Sequence, residues 1–542
     1  MKAGAETPRL EYLLSNIQQS LRKGKNMSNN KRRILPCLFR GRVIVAFLII
    51  VQIAVLIVSA IMGANYSGYV AIALNLISFA ISFVVIVSRT NDAYKLIWIY
   101  LILAFPVFGG LLYLVFSIQG SMKLMRPYML GIENKTRVRN ETTIETATRA
   151  CMEHTEHQTV IKYLSDQSGF PVSNNTVTKF YPMGEDFYSD LLEALRSAEK
   201  YIFLEYFIID EGKMWDSILE ILEEKAASGV TVRIIYDDFG CIFNLPKNYP
   251  EMLAEKGIEC RSFNRFRPLL TGLQNNRDHR KICSVDGKIA FTGGINLADE
   301  YINEIEKYGH WKDSAVGLIG EGAWSLTVIF LKMWLLTSPE FNIDDQDIFQ
   351  YKPEAEFIEC NDGYVQPYCD SPLDKDQVCE RIYMHLIHSA KKYLYICTPY
   401  LIIDDSMLGA LTYAAQSGVD VRIITPHKWD KRLVHITTQS YYHDLIESGV
   451  RIYEYTPGFI HSKIFVSDDT VASIGTANLD FRSLYLHFEC GTLLYGSSAV
   501  IEAKDDFLAT LKECKEIRAE DCKHGVLRRL LGSVMRLIAP LL

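Results

Sequence analysis

The sequence predicts transmembrane helices followed by two α/β lobes related by a pseudo-two-fold axis, and three observations predict it. Apolar runs crowd the first 120 residues, strand-helix-strand units recur after residue 130, and one spaced pattern of His, Lys and Asp occurs in each lobe. At 542 residues the chain exceeds one hydrophobic core, so more than one domain is expected. Its 57 basic and 64 acidic side chains give a net charge of -7, which argues against a dedicated nucleic-acid binder. Twelve cysteines show neither a CxxC pair nor a dense framework, so reduced thiols are expected, as on a cytoplasmic face.

Residues 1–42 read as a basic tail, with eight Lys or Arg and no acid between Arg22 and Arg42. By the positive-inside rule this holds the start of the chain in the cytoplasm. Residues 43–120 form a transmembrane region. Val43 to Met62 is broken only by Gln52 and Ser59 and matches the length of a bilayer span. A second run follows from Tyr69 to Val87. A third, Ala93 to Ser117, carries Lys95 near its start and Pro106, Gly109 and Gly110 inside. Three crossings place the remainder outside; two crossings and a re-entrant segment keep it inside, because proline frees a backbone acceptor that lipid cannot satisfy. The length and repetition of these runs argue against the competing reading of the first as a signal peptide.

The first lobe is assigned to residues 130–342 and the second to 343–520. Tyr201 to Asp210, YIFLEYFIID, and Tyr393 to Asp404, YLYICTPYLIID, have the β-branched and aromatic content of buried strands. Each precedes a helical stretch and a second strand, ASGVTVRIIYD from Ala227 and QSGVDVRIITP from Gln416. The glycine of each SGV sits where a helix stops. Strand, helix, strand implies parallel pairing, and the repeat implies two lobes meeting at a shared cleft.

His279, Lys281 and Asp286 stand in HRKICSVD, and His461, Lys463 and Asp468 stand in HSKIFVSD. Chance would supply on the order of 0.03 such matches per chain, so two are signal. Asn296 in GGIN and Asn478 in GTAN each follow their histidine by 17 residues. Alternation along a strand projects each His with its Lys toward one point. The aspartates fall in hairpin turns, Asp286 before Gly287 and Asp468 before Asp469, which makes them organisers of the catalytic triplets. Gly293, Gly294 and Gly475 let the backbone approach a ligand, and Asn296 and Asn478 offer amide donors for a substrate phosphate.

Two imidazoles and two ammonium groups converging on one cleft suit a phosphodiester. Lys281 and Lys463 neutralise anionic oxygens in the transition state. One histidine attacks phosphorus while the other protonates the departing oxygen, and the roles reverse in the second step. Asp313 in HWKDSAV and Glu489 in HFECGTL, each downstream of its motif, are the acids expected to fix the imidazole tautomers.

This constellation resembles the phospholipase D superfamily, in which HxKxxxxD with a trailing G-x-x-N marks a metal-independent phosphatidyltransferase or phosphodiesterase. The resemblance covers about Gly184 to Ser497 and implies two phospholipase D-like α/β lobes with mixed sheets. Trp98, Pro106, Gly109 and Tyr113 are similar to the W, P, G and Y of the amino-terminal segment of bacterial cardiolipin synthases. The resemblance implies phosphatidyl transfer between two phosphatidylglycerols with release of glycerol, His279 as nucleophile, His461 as acid and then base, and no cofactor. It also implies anionic membrane lipid as partner, no nucleic acid, and a multi-pass place in the cell membrane. The span at Val43 to Met62 is additional to the two segments common in that family. A lipase or nuclease of the superfamily would use water as acceptor, and a non-enzymatic scaffold would lack the complete motifs found here. Cardiolipin synthases that use a cytidine-activated lipid carry D-G-x-x-A-R, which neither Asp286-Gly287 nor Asp362-Gly363 continues into.

No metal site is expected. The pairs His154 with His157 and His385 with His388 are spaced i, i+3 but lack a third ligand nearby, and they read as solvent-facing or capping histidines. There is no HExxH, EF-hand loop or P-loop. Residues 524–542 form an amphipathic helix, with Leu527, Leu530, Leu531, Val534, Met535 and Ile538 at helical spacing and Arg528, Arg529 and Arg536 beside Gly532 and Ser533. Either it lies in an anionic membrane interface or it packs on the second lobe.

Overall fold

The computed structural model describes residues 49–54, 57, 61, 63–88, 92–118, 125–137, 141–266, 275–338, 348–354, 360, 362–374, 376–523 and 525–541. The basic tail and most of the Val43 to Met62 run lie outside the described residues.

Each lobe is built on one mixed sheet. In the first, β1 (Thr176–Tyr181), β2 (Tyr201–Tyr206), β3 (Thr231–Asp237), β4 (Glu259–Phe263), β5 (Lys281–Val285), β6 (Ile289–Gly293) and β8 (Ala315–Gly320) take the order β1-β8-β6-β5-β2-β3-β4; the short β7 (His310–Lys312) stands apart from them. In the second, β9 (Tyr364–Asp370), β10 (Tyr393–Cys397), β11 (Asp420–Pro426), β12 (Arg451–Tyr455), β14 (Ile464–Ser467), β15 (Val471–Gly475), β16 (Glu489–Tyr495) and β17 (Cys514–Ile517) take the order β17-β12-β11-β10-β14-β15-β16-β9; here β13 (Gly458–Ile460) stands apart. Removing β17 leaves the same order in both. β2 pairs parallel with β3, and β10 with β11, as strand-helix-strand connectivity requires.

The helix Lys213–Ala227 stops at Ser228 because Gly229 turns left-handed at φ +93°, and Gly418 ends the helix Asp405–Gln416 the same way at +96°. The predicted first strands end early, at Tyr206 and Cys397, and the chain beyond them makes single bridges, Ile209 to Leu297 and Leu401 to Leu479. The hydrophobic cores cross the seam between lobes. Phe459 of the second lobe packs among the buried side chains of the first, and Phe488 meets Phe263 of the first edge to face, with centroids 5.3 Å apart. None of the described cysteines is disulfide-bonded.

The motif aspartates act on the backbone. Asp286 takes a left-handed conformation in the β5–β6 turn, and its carboxylate accepts bonds from the amides of Glu199, Lys200 and Tyr201 at 2.8, 2.8 and 2.7 Å. Asp468 repeats this on Lys391, Lys392 and Tyr393 at 2.7, 2.9 and 2.9 Å. Each aspartate thereby ties the start of the central strand, β2 or β10, to the hairpin that carries its lysine.

Among the described residues no helix is long and apolar enough to cross a membrane. The third apolar run breaks at Phe105 into two helices, Asp92–Ala104 and Pro106–Ile118, each of 13 residues and so roughly 20 Å long. Gly109 lets them touch, since a side chain there would strike the carbonyl oxygen of Leu101. Trp98 meets Tyr113 edge to face across the pair, with ring centroids 5.3 Å apart. The break exposes amides at the second helix's start, and the side-chain oxygen of Gln52 accepts from Val107 and Phe108, both at 3.0 Å. The polar interruption of the first run is thus the cap of the third.

Three charge-assisted bonds per aspartate predict a measurable cost. Asp286→Ala should destabilise the protein by about 2–4 kcal/mol, and Asp468→Ala similarly, because three amides lose their acceptor. Asp286→Asn, which keeps one oxygen, should cost less. Denaturant unfolding checks the order; an Asp286→Ala protein as stable as the parent would contradict the clamp.

Candidate active site

Two backbone bridges assemble the site. The amide of His279 donates to the carbonyl of Phe488 at 2.9 Å, and the amide of Phe488 returns a bond to Arg277 at 2.8 Å. In the other half β13 lies parallel to β7, and the amide of His461 donates to the carbonyl of Lys312 at 2.7 Å. Glu489 follows Phe488, and Asp313 follows Lys312. Each histidine is therefore delivered to the acid of the opposite lobe: His279 Nδ1 lies 3.0 and 3.1 Å from the Glu489 oxygens, and His461 Nδ1 lies 2.6 Å from Asp313 Oδ2. The sequence reading placed each acid downstream of its own motif; the fold exchanges them.

The strand argument for His and Lys holds in direction but not in position. Lys281 is the first residue of β5, with His279 ahead of it, and both His461 and Lys463 precede β14. Each lysine folds back to donate to the carbonyl of its own histidine. Lys463 Nζ also lies 2.8 Å from His461 Nδ1.

Burial sets the charge states. His279 and His461 are 8% and 7% exposed, and Lys281, Lys463, Asp313 and Glu489 are buried. Burial pushes the His279 imidazole down to about 3, so it is neutral at physiological pH. Burial, joined by the charges of Lys463 and Lys281, holds His461 well below its ordinary value. Burial alone would raise Glu489, but the adjoining His279 keeps its carboxylate well below the usual range. Burial lifts Asp313 to about 7 against the pull of Lys463. The lysines fall, Lys281 to about 8 and Lys463 to about 7, again through burial. Lys281 of the first motif acts on both His461 and its partner Asp313, so both triplets share one electrostatic cluster.

The asparagines and glycines lie at this cluster with their polar groups already engaged in part. Asn296 accepts from the Ile208 amide at 3.0 Å and donates to Tyr301 at 2.6 Å. Asn478 donates to Asp480 at 3.2 Å, leaving its buried side-chain oxygen without a partner. A side chain at Gly294 would strike Asp313, and one at Gly475 would strike the carbonyl of Cys490, so both glycines make room for protein.

Sequence reasoning missed the groups flanking each ring. Trp311 stands 5.5 Å from His461, and His487, at the corresponding place in the second lobe, stands 5.6 Å from His279. The signal was the alignment of WKD with HFE. Thr476 donates to Glu489 Oε2 and so helps to fix that acid. His279, His487 and Glu489 bring ligand atoms within 4.8 Å of one another, a grouping that could hold a metal ion. His157 is not solvent-facing as expected: it is buried, with Nδ1 3.2 Å from His385 Nε2 and Nε2 3.2 Å from Thr470.

Comparisons with known proteins agree with this geometry. The family model described as cardiolipin synthase, PLD-like domain, matches residues 191–309 and 383–511, and one described as phospholipase D-nuclease N-terminal matches 76–117. An uncharacterized protein of Streptococcus mutans is 40% identical over 84% of this chain and 98% of its own. A cardiolipin synthase of Alkalihalophilus pseudofirmus is 35% identical over 88% of this chain and 94% of its own. The crystal structure of phosphatidylserine synthase from Haemophilus influenzae shares the fold, with a TM-score of 0.52 at 15% identity over 67% of this chain and 93% of that one. With paired motifs in one buried cluster and full-length relatives of this similarity, the chain belongs to the bacterial cardiolipin synthase family of the phospholipase D superfamily.

Proposed function

We propose that the chain is a cardiolipin synthase that transfers a phosphatidyl group from one phosphatidylglycerol to the terminal hydroxyl of another, releasing glycerol. The observation that carries this reading is the exchange of acids, which draws both motifs into one buried cluster.

In the first step Nε2 of neutral His279 attacks phosphorus, with its Nδ1 proton held by Glu489. The bond from phosphorus to the departing glycerol oxygen breaks, and His461 supplies that oxygen's proton. Lys281 and Lys463 take the charge on the non-bridging oxygens. Burial and the lysine charges together keep His461 neutral; the anionic substrate offsets the lysine part, which moves this imidazole toward protonation. In the second step His461 removes the proton from the second phosphatidylglycerol's hydroxyl. That oxygen attacks phosphorus, and the bond to His279 breaks.

Near-complete burial of both rings favours an alcohol acceptor over water, since bulk solvent has little access to the intermediate. The lipid substrate fits the apolar amino-terminal helices, whose Leu96, Tyr100 and Leu103 face outward. We infer that this region embeds the protein in the cell membrane as a multi-pass anchor, the Pro106 break forming a re-entrant hairpin capped by Gln52.

Purified protein incubated with phosphatidylglycerol and chelator should yield cardiolipin and free glycerol on chromatography; phosphatidic acid alone would make it a lipase. His279→Ala should lower turnover by on the order of a thousandfold or more. His461→Ala, which removes the acid of the first step and the base of the second, should lower turnover as well, and rapid quenching of the unaltered protein during turnover should trap acid-labile, base-stable phosphate on it; its absence would favour direct displacement.

The lysines predict a basic limb. Because Lys463 and Lys281 titrate at about 7 and about 8 in the free enzyme, kcat/KM should fall as pH rises through this range and phosphate-binding charge is lost. Lys463→Arg should carry residual activity to higher pH, as read from initial rates in mixed micelles. A flat parent profile across this range would contradict the assignment.

A further inference from the structure

The carboxy-terminal helix Val526–Leu537 is mounted the wrong way round for a helix that stabilises a core. Two of its arginines reach back to the protein: Arg536 pairs with Asp444 at 2.7 Å and lies over the Tyr441 ring at 4.3 Å, and the exposed Arg528 bonds Gln439 at 2.8 Å. Gly532 sits against the helix Arg432–Glu447, where a side chain would press on Ser440. The leucines turn outward. Leu530, Leu531, Val534 and Leu537 are 61%, 42%, 47% and 45% exposed, and Leu541 beyond them is 51% exposed. On a helical wheel these four helix residues fill one continuous sector, while Arg528 and Arg529 lie at its flanks. A helix packed only on its lobe would bury that sector. Among the described side chains this one buries little apolar surface beyond Met535, Ala539 and Pro540.

Two further observations say what covers the outward face. Between this helix and Arg432–Glu447 runs a groove of about 360 Å³ in which Arg528, Arg529 and Arg536 face a single carboxylate, Asp444. That charge suits an anionic headgroup. The second observation is continuity with the apolar amino-terminal helices. The chain end is held by Arg482, which donates to the Leu541 carbonyl at 3.2 Å. The neighbouring Phe481 meets Tyr94 of the helix Asp92–Ala104 edge to face, with centroids 6.3 Å apart. The turn that ends the terminal helix and the apolar helix Asp92–Ala104 therefore both touch one short helix, Phe481–Tyr485, which is capped by Asp480 two residues after Asn478.

We propose that Val526–Leu537 is an interfacial membrane helix, which inserts its leucine face among the acyl chains of an anionic bilayer while the arginine groove takes lipid phosphate. Its mounting beside the end of the second motif sets the catalytic cluster at the bilayer surface, where a two-tailed substrate enters without leaving the lipid phase. The choice of an anionic headgroup rests on the phosphatidylglycerol reading above; the outward leucine face does not.

The test uses the full chain in vesicles and needs no turnover. Leu530→Trp, and separately Leu537→Trp, adds one emitter at an exposed apolar position. In phosphatidylglycerol vesicles with brominated acyl chains the added emission should shift to the blue and be largely quenched, with little quenching by aqueous acrylamide. In brominated phosphatidylcholine the quenching should be clearly weaker. Quenching by acrylamide alone would overturn the proposal by leaving the face in water, and equal quenching in the two lipids would overturn the anionic specificity. Shielding from both quenchers, with the molecular mass halved in Leu530→Glu, would assign the face to a second copy. Loss of cardiolipin formation with quenching intact would sink the functional reading and leave the docking standing.

Discussion

Everything at the catalytic centre depends on the exchange of carboxylates between the lobes. A buried imidazole needs a partner for Nδ1 to fix its tautomer, and a buried carboxylate needs a donor to offset its lost hydration. Neither lobe meets both needs alone. Phe488 and Lys312 hold the histidine amides of the opposite lobe, and the next residue in each case is the acid that meets the ring. Removing one member of such a buried pair typically costs about 3–5 kcal/mol, so the same contacts join the lobes and arm the reaction. The two lobes thus share one buried cluster.

The two halves are equivalent in topology but not in chemistry. His487 borders the first imidazole where Trp311 borders the second, and a buried Arg280 to Glu205 pair stands behind His279 alone. Ser462 and Cys397 occupy the corresponding places in the second half. This asymmetry fits a division of labour between a nucleophile and a proton carrier. Burial lowers both imidazoles; His279 feels Lys281 alone of the two lysines, whereas His461 feels both Lys463 and Lys281.

Much of this was legible in the sequence because it is encoded locally. The SGV turns, the strand-helix-strand repeat and the Asp turns follow from spacing and from the conformational limits of their residues. What escaped was set by contacts between distant segments. The pairing of His279 with Glu489 spans 210 residues and that of His461 with Asp313 spans 148, and no local pattern says which acid crosses over. Gln52 read as a flaw in an apolar run, yet it caps a helix 55 residues away. His157 and His385, each assigned by spacing to its own pair, meet one another instead. The terminal helix was visibly amphipathic, but the side that faces the protein was decided by Asp444, Gln439 and Tyr441.

A crystal structure of the protein with vanadate, a mimic of five-coordinate phosphorus, interrogates the shared centre without reference to products or membranes. Convergence of the lobes predicts vanadium bonded to Nε2 of His279, with His461 hydrogen-bonded to the opposite apical oxygen and both lysines on the equatorial oxygens. Vanadate seated against the residues of one lobe, with the other histidine turned away, would contradict it.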